Sequence, residues 1–513
     1  MTDQFPAIIV LAPMFGSLII ALVGNRDHRF CLPIVVTSLL ISFGAALGVT
    51  REVFISGPVD YFMGGWKEPL GIGIHLRIDA FNSLVLLVIG VVSLLVSSFS
   101  MRRTGPKNEE KTPQFFILYL LLCTGLFGIT VTGDAFNLFV LIEVSSLASY
   151  GLVAMGSNRR GTHAAFNYVI MGTVGASFYL IGVGYLYMKT GSLNMMDIRT
   201  ILASNQAIAE SNAITISFFF ILVGIWIKMA FFPLVGWLPN AYSYCPSTSS
   251  CLLAPLMTKV SVYVMIRVMM SIFGFEWVFS NPFWTDLVVW LSVIAILAGS
   301  IFALAQSEIK KMLCYLIIAE VGYMVGGAWL ADSGRWGLTG SIYHIIADAM
   351  MTLCLFIAAG TFARKLNATK IIDLEGLFKK APWTSVGFIV GALAMIGVPP
   401  TCGFFSKFYL IRGGIDAGHW GYVAALLISS LINAILFFRI FEIAHFGNKP
   451  AEGHDHDHHE EKVEKMQGHW SAHVPLLATA AGIILIGVFN GQIVELIRVA
   501  LGEISVVTAN LKN

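Results

Sequence analysis

Five ionisable residues stand inside long apolar stretches of this 513-residue chain: Glu143, Lys228, Lys259, Glu320 and Lys407. At the centre of a membrane-spanning helix each costs about 2.5–3.5 kcal/mol, so five left unpaired would cost roughly 12–18 kcal/mol. Such residues must face a bundle interior, pair with one another or touch water. Two chemistries suit acids and amines so placed. One is structural, a buried ion pair that fixes helix register. The other is an ion relay: desolvation favours the neutral amine, a nearby glutamate favours the ammonium, and moving the glutamate's influence away releases the proton.

The elements that must position these residues follow from composition. Hydrophobic residues make up 57% of the chain and charged residues 12%, about half the charge density of a soluble domain. Mean hydropathy is +0.78. There is too little polar surface to coat a water-soluble particle of this size, so lipid is the expected solvent. Apolar runs of roughly 17–28 residues recur, each long enough to cross a hydrocarbon core of about 30 Å. They fall at 7–24, 31–50, 79–100, 113–132, 134–155, 162–188, 213–237, 250–272, 283–306, 311–330, 338–363, 383–413, 418–446 and 471–491. The fold class expected is therefore an all-α polytopic membrane protein of about fourteen transmembrane helices. Segment 51–78, with Gly64-Gly65-Trp66 and Pro69, is too interrupted to span and reads as an extracytoplasmic hairpin or an interfacial segment.

Two of the buried lysines adjoin helix breakers. Pro233 follows Lys228 by five residues and lacks the amide that would bond the Met229 carbonyl. Pro399 and Pro400, then Gly403, precede Lys407. Irregular backbone at membrane depth is tolerated where protein or water satisfies it, and broken helices at corresponding places mark internal repeats with central ion sites. Glu143 and Lys228 are 85 residues apart, Glu320 and Lys407 are 87 apart. Spans 4–8 and 9–13 thus read as two inverted five-helix repeats with discontinuous helices 7 and 12. The expected organisation is 1–112 (helices 1–3 and the hairpin), 113–272 (first repeat), 283–446 (second repeat), 447–470 (a polar loop) and 471–513 (helix 14 and the tail).

Lysine and arginine concentrate in the odd-numbered loops, with Arg102, Arg103, Arg159, Arg160, Lys310, Lys311, Lys379 and Lys380 carrying most of the bias. The positive-inside rule makes those loops cytoplasmic and both termini extracytoplasmic. No Lys or Arg precedes the first apolar run, so that run reads as a retained span, not a secretory signal. In the polar loop, His454, His456, His458 and His459 interleave with Asp455 and Asp457. The plain reading is a solvated loop with incidental affinity for zinc or nickel; a pH- or metal-responsive segment is the alternative. The seven cysteines are scattered without a CxxC, which excludes a recognisable iron–sulfur or zinc motif. The net charge of +2 gives no support to nucleic-acid binding.

At the charged residues the sequence resembles a known family. Thr132-Gly133-Asp134-Ala135-Phe136-Asn137-Leu138-Phe139 leading to Glu143 is similar to the fifth helix of the antiporter-like subunits shared by respiratory complex I, membrane-bound hydrogenases and Mrp-type cation/proton antiporters. Lys228-Met229-Ala230-Phe231-Phe232-Pro233, Trp237-Leu238-Pro239-Asn240-Ala241-Tyr242 and Thr258-Lys259-Val260-Ser261-Val262-Tyr263 continue the likeness. Gly397-Val398-Pro399-Pro400 and Gly403-Phe404-Phe405-Ser406-Lys407-Phe408 complete it, in family order over nearly the whole chain. The resemblance implies a proton-translocating subunit of a larger complex in a prokaryotic inner membrane, with other membrane subunits as partners. It carries Glu143 and Lys228 over as the input pair, Lys259 as the onward relay and Lys407 as the exit-side lysine.

There are departures. The family's eleventh helix usually carries histidine and lysine; here the lysine position is Thr352, and His344 and Asp348, four residues apart on one helix face, offer a replacement relay. Glu320 stands where a polar neutral residue is common. A carboxylate-rich middle would suit Na⁺ as well as a proton. The readings left open are a proton pump in a redox complex, the large subunit of a multisubunit Mrp-type Na⁺/H⁺ antiporter, and a solute transporter or non-conducting scaffold for a catalytic partner. The segment Gly64-Gly65-Trp66 followed by Pro69, Gly71 and Ile72 favours the second. No nucleotide, haem or iron–sulfur motif is present, so no cofactor and no independent redox active site are expected.

Overall fold

The computed structural model describes residues 4–24, 26–66, 73–101, 111–156, 159–331, 336–365, 368–446 and 470–503. Pro69, Gly71, Ile72, Arg102, Arg103 and the four histidines of the polar loop lie outside the described residues.

Three long helices open the chain: α1 (Phe5–Val23), α2 (Cys31–Ser56) and α3 (Ala80–Ser100). Between α2 and α3, β1 (Val59–Phe62) pairs antiparallel with β2 (His75–Ile78), so the interrupted segment is a hairpin as expected. The first series follows: α4 (Thr112–Val131), α5 (Ala135–Ala154), α6 (Arg159–Thr190), two short helices α7 (Met195–Ser204) and α8 (Gln206–Ala209), then α9 (Asn212–Met229), α10 (Leu238–Tyr244) and α11 (Ser247–Val268). A π-helical turn, Met269–Phe273, and the one-turn α12 (Phe275–Val278) lead out of α11.

The second series repeats the order: α13 (Pro282–Leu304), α14 (Ile309–Trp329), α15 (Trp336–Lys365), the one-turn α16 (Leu377–Lys380), α17 (Pro382–Ile396), α18 (Cys402–Asp416) and α19 (Trp420–Phe446). Then α20 (Trp470–Val488) and α21 (Asn490–Ala500) end the described chain. The correspondence extends to backbone pairing. Asp134, just before α5, bridges to Asn194 after α6; Glu308, just before α14, bridges to Lys370 after α15. Each series also contains one broken span, α9–α10 and α17–α18.

Among the described residues, thirteen helices are long and apolar enough to cross a membrane; α17 is apolar but short. Together α17 and α18 make the expected span 383–413, the twelfth, split in two by 397–401, which brings the total to fourteen. Span 213–237 is shorter than its apolar run: the helix stops at Met229 because Ala230 adopts a left-handed conformation (φ 56°). Pro233 announces a break in this span, and the left-handed Ala230, a conformation a non-glycine residue seldom adopts, places it three residues earlier.

Burial separates the helices by role. Outer helices such as α2, α6 and α19 expose one face rich in Leu, Ile and Phe, as lipid contact requires. The spans of α11, α14 and α15 are almost wholly buried, and these three form the axis of the bundle. They carry Lys259, Glu320, His344 and Asp348. All seven cysteines are buried and unbridged, in keeping with packing roles.

Candidate functional site

The Asp134 carboxylate accepts from the Asn137 amide at 2.6 Å and caps α5, which sets Glu143 on the middle turns of that helix. Lys228 lies in the last turn of α9, against the break that Ala230 and Pro233 create. Its Nζ is 3.1 Å from Glu143 Oε1, donates to Ser146 Oγ at 2.8 Å and reaches the Tyr150 hydroxyl at 3.5 Å. A cavity of about 30 Å³ opens beside Lys228, lined by Ser145, Ser146 and Tyr179 and, from α11, by Val260 and Ser261. Lys228 lines the cavity on one side, and Val260 and Ser261, which follow Lys259 in α11, line it on another.

Lys259 is buried in α11, one turn beyond the in-helix Pro255. Its Nζ is 2.9 Å from Asp348 Oδ2 and donates to the Ala254 carbonyl at 3.1 Å. Thr352 Oγ1 donates to Asp348 Oδ1 at 2.7 Å and stands 3.4 Å from Lys259 Nζ. The carboxylate one turn before Thr352 is therefore the counter-ion of the central lysine, and both side chains are buried.

One turn back along α15, His344 Nε2 lies 2.5 Å from Glu320 Oε2 on α14. The two atoms are close but poorly aligned for a hydrogen bond, and Glu320 Oε1 has no hydrogen-bond partner among the described residues. On the other ring nitrogen, Nδ1 is 2.9 Å from Ser406 Oγ, which donates to the Gly403 carbonyl. A serine hydroxyl has one hydrogen, so Nδ1 must be the donor. Nε2 and the glutamate carboxylate, two groups that each can bind a proton, therefore face one another in a buried setting.

Lys407 follows Ser406. Its Nζ donates to the Met395 carbonyl at 2.7 Å, the Ile396 carbonyl at 3.3 Å and Ser430 Oγ at 3.1 Å. Those two carbonyls belong to the last turn of α17, which Gly397 (φ 96°), Pro399 and Pro400 terminate. Gly403 lets α18 begin directly against that end, since a Cβ there would stand 1.8 Å from the Ala394 carbonyl oxygen. The ammonium also sits 5.3 Å from the Tyr323 ring centroid. The second unit therefore differs from the first: its broken-helix lysine is held by helix-end carbonyls, while its glutamate is taken by His344.

Of the seven residues singled out from sequence, Lys259, Glu320, His344, Asp348 and Lys407 are buried, and Glu143 and Lys228 are partly buried beside them. The cavity beside Lys228 is bounded by α11, Lys259 pairs with Asp348, and Asp348 shares α15 with His344. His344 joins Glu320 and, through Ser406, the turn that bears Lys407.

Two polar clusters escaped the sequence reading. Arg267, near the end of α11, makes a two-pronged pair with Asp79 before α3 (2.6 and 2.9 Å) and donates to the Tyr263 hydroxyl. In the hairpin, buried His75 is held between Asp60 (2.8 Å) and Asn194 (3.0 Å). His75 and Asp60 fall between apolar runs, where charge carries no insertion cost and so no signal. Among the described residues, no group of three or more His, Cys, Asp or Glu side chains is placed to hold a metal ion.

Comparison with known proteins places the chain in a family. The family described as NADH:quinone oxidoreductase/Mrp antiporter, TM, matches residues 132–433. The chain is 37% identical over 508 residues to NADH-quinone oxidoreductase subunit N of Desulforudis audaxviator, covering 96% of this chain and 98% of that protein. It is 30% identical over 453 residues to a Na(+)/H(+) antiporter component of Bacillus subtilis, covering 87% and 88%. Among solved structures it resembles a chain of the membrane-bound sulfane sulfur reductase, an archaeal respiratory membrane complex (TM-score 0.87, 27% identity, 99% of each chain). It shares its fold with a chain of the Mrp complex from Dietzia sp. (TM-score 0.85, 22% identity, 100% and 99% covered). The axis of buried charges falls within the matched region, and the chain belongs to the NADH:quinone oxidoreductase/Mrp antiporter transmembrane family.

Proposed function

We propose that this chain is a proton-translocating, antiporter-like subunit of a multisubunit membrane complex. The observation that carries the reading is the succession of charged groups itself: Glu143–Lys228, Lys259–Asp348, His344–Glu320 and Lys407. Glu143 and Lys228 receive the proton, Lys259 and Asp348 pass it along the axis, Glu320 and His344 store it, and Lys407 releases it. Each hand-over changes the charge beside the next group, so occupancy at one pair sets proton affinity at its neighbour. Pro233, Pro399, Pro400 and Gly403 serve by breaking helices at the two terminal lysines, and at Lys407 the helix-end carbonyls of Met395 and Ile396 accept from the amine.

The partners are other membrane subunits, further antiporter-like chains among them. One side of α5 supports this. Phe136, Val140 and Leu147 are exposed along the same face as Glu143, whose side chain keeps 25% exposure. A carboxylate at membrane depth is costly against lipid and satisfied against protein. The site is in the inner membrane of a prokaryote, with the Arg159, Arg160, Lys310 and Lys311 end towards the cytoplasm and both termini outside. The functional units are the two repeats, 113–272 and 283–446, with helices 1–3 and 14 as flanking supports.

The test is proton uptake by vesicles holding the assembled complex with Glu143→Ala or Lys228→Ala. Both variants are expected to assemble and to lose translocation. Full transport by both would leave a scaffold role as the better account. Likeness to the Bacillus antiporter component favours a second reading, Na⁺/H⁺ exchange uncoupled from redox chemistry. Under that reading, proton movement stops when choline replaces Na⁺.

A further inference from the structure

We propose that α20 and α21 form a splint across the broken span α17–α18, and that Gly487 and Asn490 are positioning residues which hold the carbonyl cradle of Lys407. The inference rests on the function proposed above and deepens it, by giving two helices outside the repeats a part in the release step.

The two helix breaks are finished differently. In the first unit the Ile227 carbonyl, near the end of α9, accepts from the Trp237 indole at 3.0 Å, within the same broken span. In the second the Met395 and Ile396 carbonyls accept from Lys407 itself, at 2.7 and 3.3 Å. Residues 397–401 join those carbonyls to the helix that bears the lysine. Their placement therefore sets the distance from the amine to its acceptors.

That placement is governed by one turn of chain beyond the second repeat. Near the end of α20 the Ile486 carbonyl accepts from the hydroxyl of Tyr343, the neighbour of His344 in α15, at 2.8 Å. At the next residue, a Cβ on Gly487 would collide with the Pro400 carbonyl oxygen and stand 2.9 Å from the Cys402 amide nitrogen. Asn490, which opens α21, accepts from the Tyr409 hydroxyl of α18 at 2.8 Å and donates to the Gly487 carbonyl at 2.8 Å. Earlier in α20, Leu476 fills the space over Gly387 of α17, where a Cβ would stand 2.5 Å from its Cγ. One helix thus grips α17, the break and α18 together. Gly487 and Asn490 both lie outside the matched family region, 132–433. The atoms that meet Gly487 are main-chain atoms, which cannot swing aside as a side-chain end can, so a methyl group there must move the break as a whole. A hydrogen bond of 2.7 Å is lost within about 1 Å of such movement. Misplacement on that scale costs up to about a hundredfold in rate.

The experiment uses the assembled complex in vesicles and reads initial proton uptake with a pH-sensitive dye. Gly487→Ala is expected to slow uptake about tenfold. Gly491→Ala is the control: a Cβ there meets open space, and uptake should run at the wild-type rate. Asn490→Ala should slow uptake by a smaller factor, and Asn490→Asp, which keeps the acceptor for Tyr409, should restore most of it. The apparent melting temperature of the complex separates positioning from plain packing. With Lys407→Met in the same chain, the loss caused by Gly487→Ala is expected to shrink, because the amine–carbonyl bonds it disturbs are already gone. Losses at unconnected sites simply add. Additive losses overturn the splint, as does wild-type uptake by Gly487→Ala. Full uptake by Lys407→Met overturns the relay instead, and the melting comparison still decides the splint. Should Gly487→Ala fail to assemble, Asn490→Ala takes its place in both measurements, with the same two overturning results.

Discussion

The Lys259–Asp348 pair gives the sharpest test of how the axis is held. Both side chains are buried, 2% and 0% exposed, and separated by 2.9 Å. Replacing Asp348 with leucine leaves Lys259 with only the Ala254 carbonyl at 3.1 Å and Thr352 Oγ1 at 3.4 Å, both neutral. It also removes the acceptor of the Thr352 hydroxyl. Breaking one side of a buried pair typically costs about 3–5 kcal/mol, because a charge stays uncompensated. Replacing both partners with apolar groups of similar volume is often neutral or stabilising. Asp348→Leu is therefore expected to lower the apparent melting temperature of the purified complex clearly, Lys259→Met to do so less, and the double variant to recover most of the loss. Proton uptake by vesicles should not recover in the double variant, because the central relay is gone. A stable, fully active Asp348→Leu protein would refute the reasoning, as would full transport by the double variant.

Other parts of the fold can be tested separately. Gly224 and Gly175 bring α6 and α9 together so closely that a Cβ on Gly224 would stand 2.6 Å from the Gly175 carbonyl oxygen. Gly224→Val should separate these helices, lengthen the Glu143–Lys228 contact and reduce the amount of folded protein recovered from membranes; unchanged recovery and activity would count against this packing. In the hairpin, the His75 hydrogen bond, followed by Arg77, holds the Asp60 carboxyl below its ordinary 3.8. A lowered carboxyl contributes stability that is present above its unfolded value and lost as pH falls through the folded one. Hydrogen exchange of the hairpin should thus be insensitive to Asp60 between pH 5 and 8 and rise below about pH 4, and Asp60→Asn should remove the rise.

The sequence revealed the charged residues more readily than their partners. Glu143, Lys228, Lys259, Glu320 and Lys407 stand out because a charge inside an apolar run is costly, and the cost alone marks them. The broken helices were legible from proline, which cannot continue a hydrogen-bonded helix. The Glu143–Lys228 pair was legible through the family resemblance, which carries these two residues over as the input pair. Pairing in the middle was not. Whether Lys259 meets Asp348, Glu320 or Thr352 depends on how α11 rotates against α15, and no local periodicity encodes that angle. The matched 85- and 87-residue offsets suggested two like units, yet Lys407 binds carbonyls because His344 occupies Glu320. The Asp79–Arg267 tie joins residues 188 apart in the chain. Arg267 sits close enough to a span end that snorkelling and burial look alike in sequence.

On the proposed function, protons cross this subunit by way of Lys259, where its two units meet. The most direct measurement is initial proton uptake by vesicles containing the assembled complex with Lys259→Met, set against wild type at equal complex content. Uptake is predicted to fall to the level of empty vesicles, with Glu143 and Lys228 still paired and the complex still assembled. Uptake at the wild-type rate would contradict the claim.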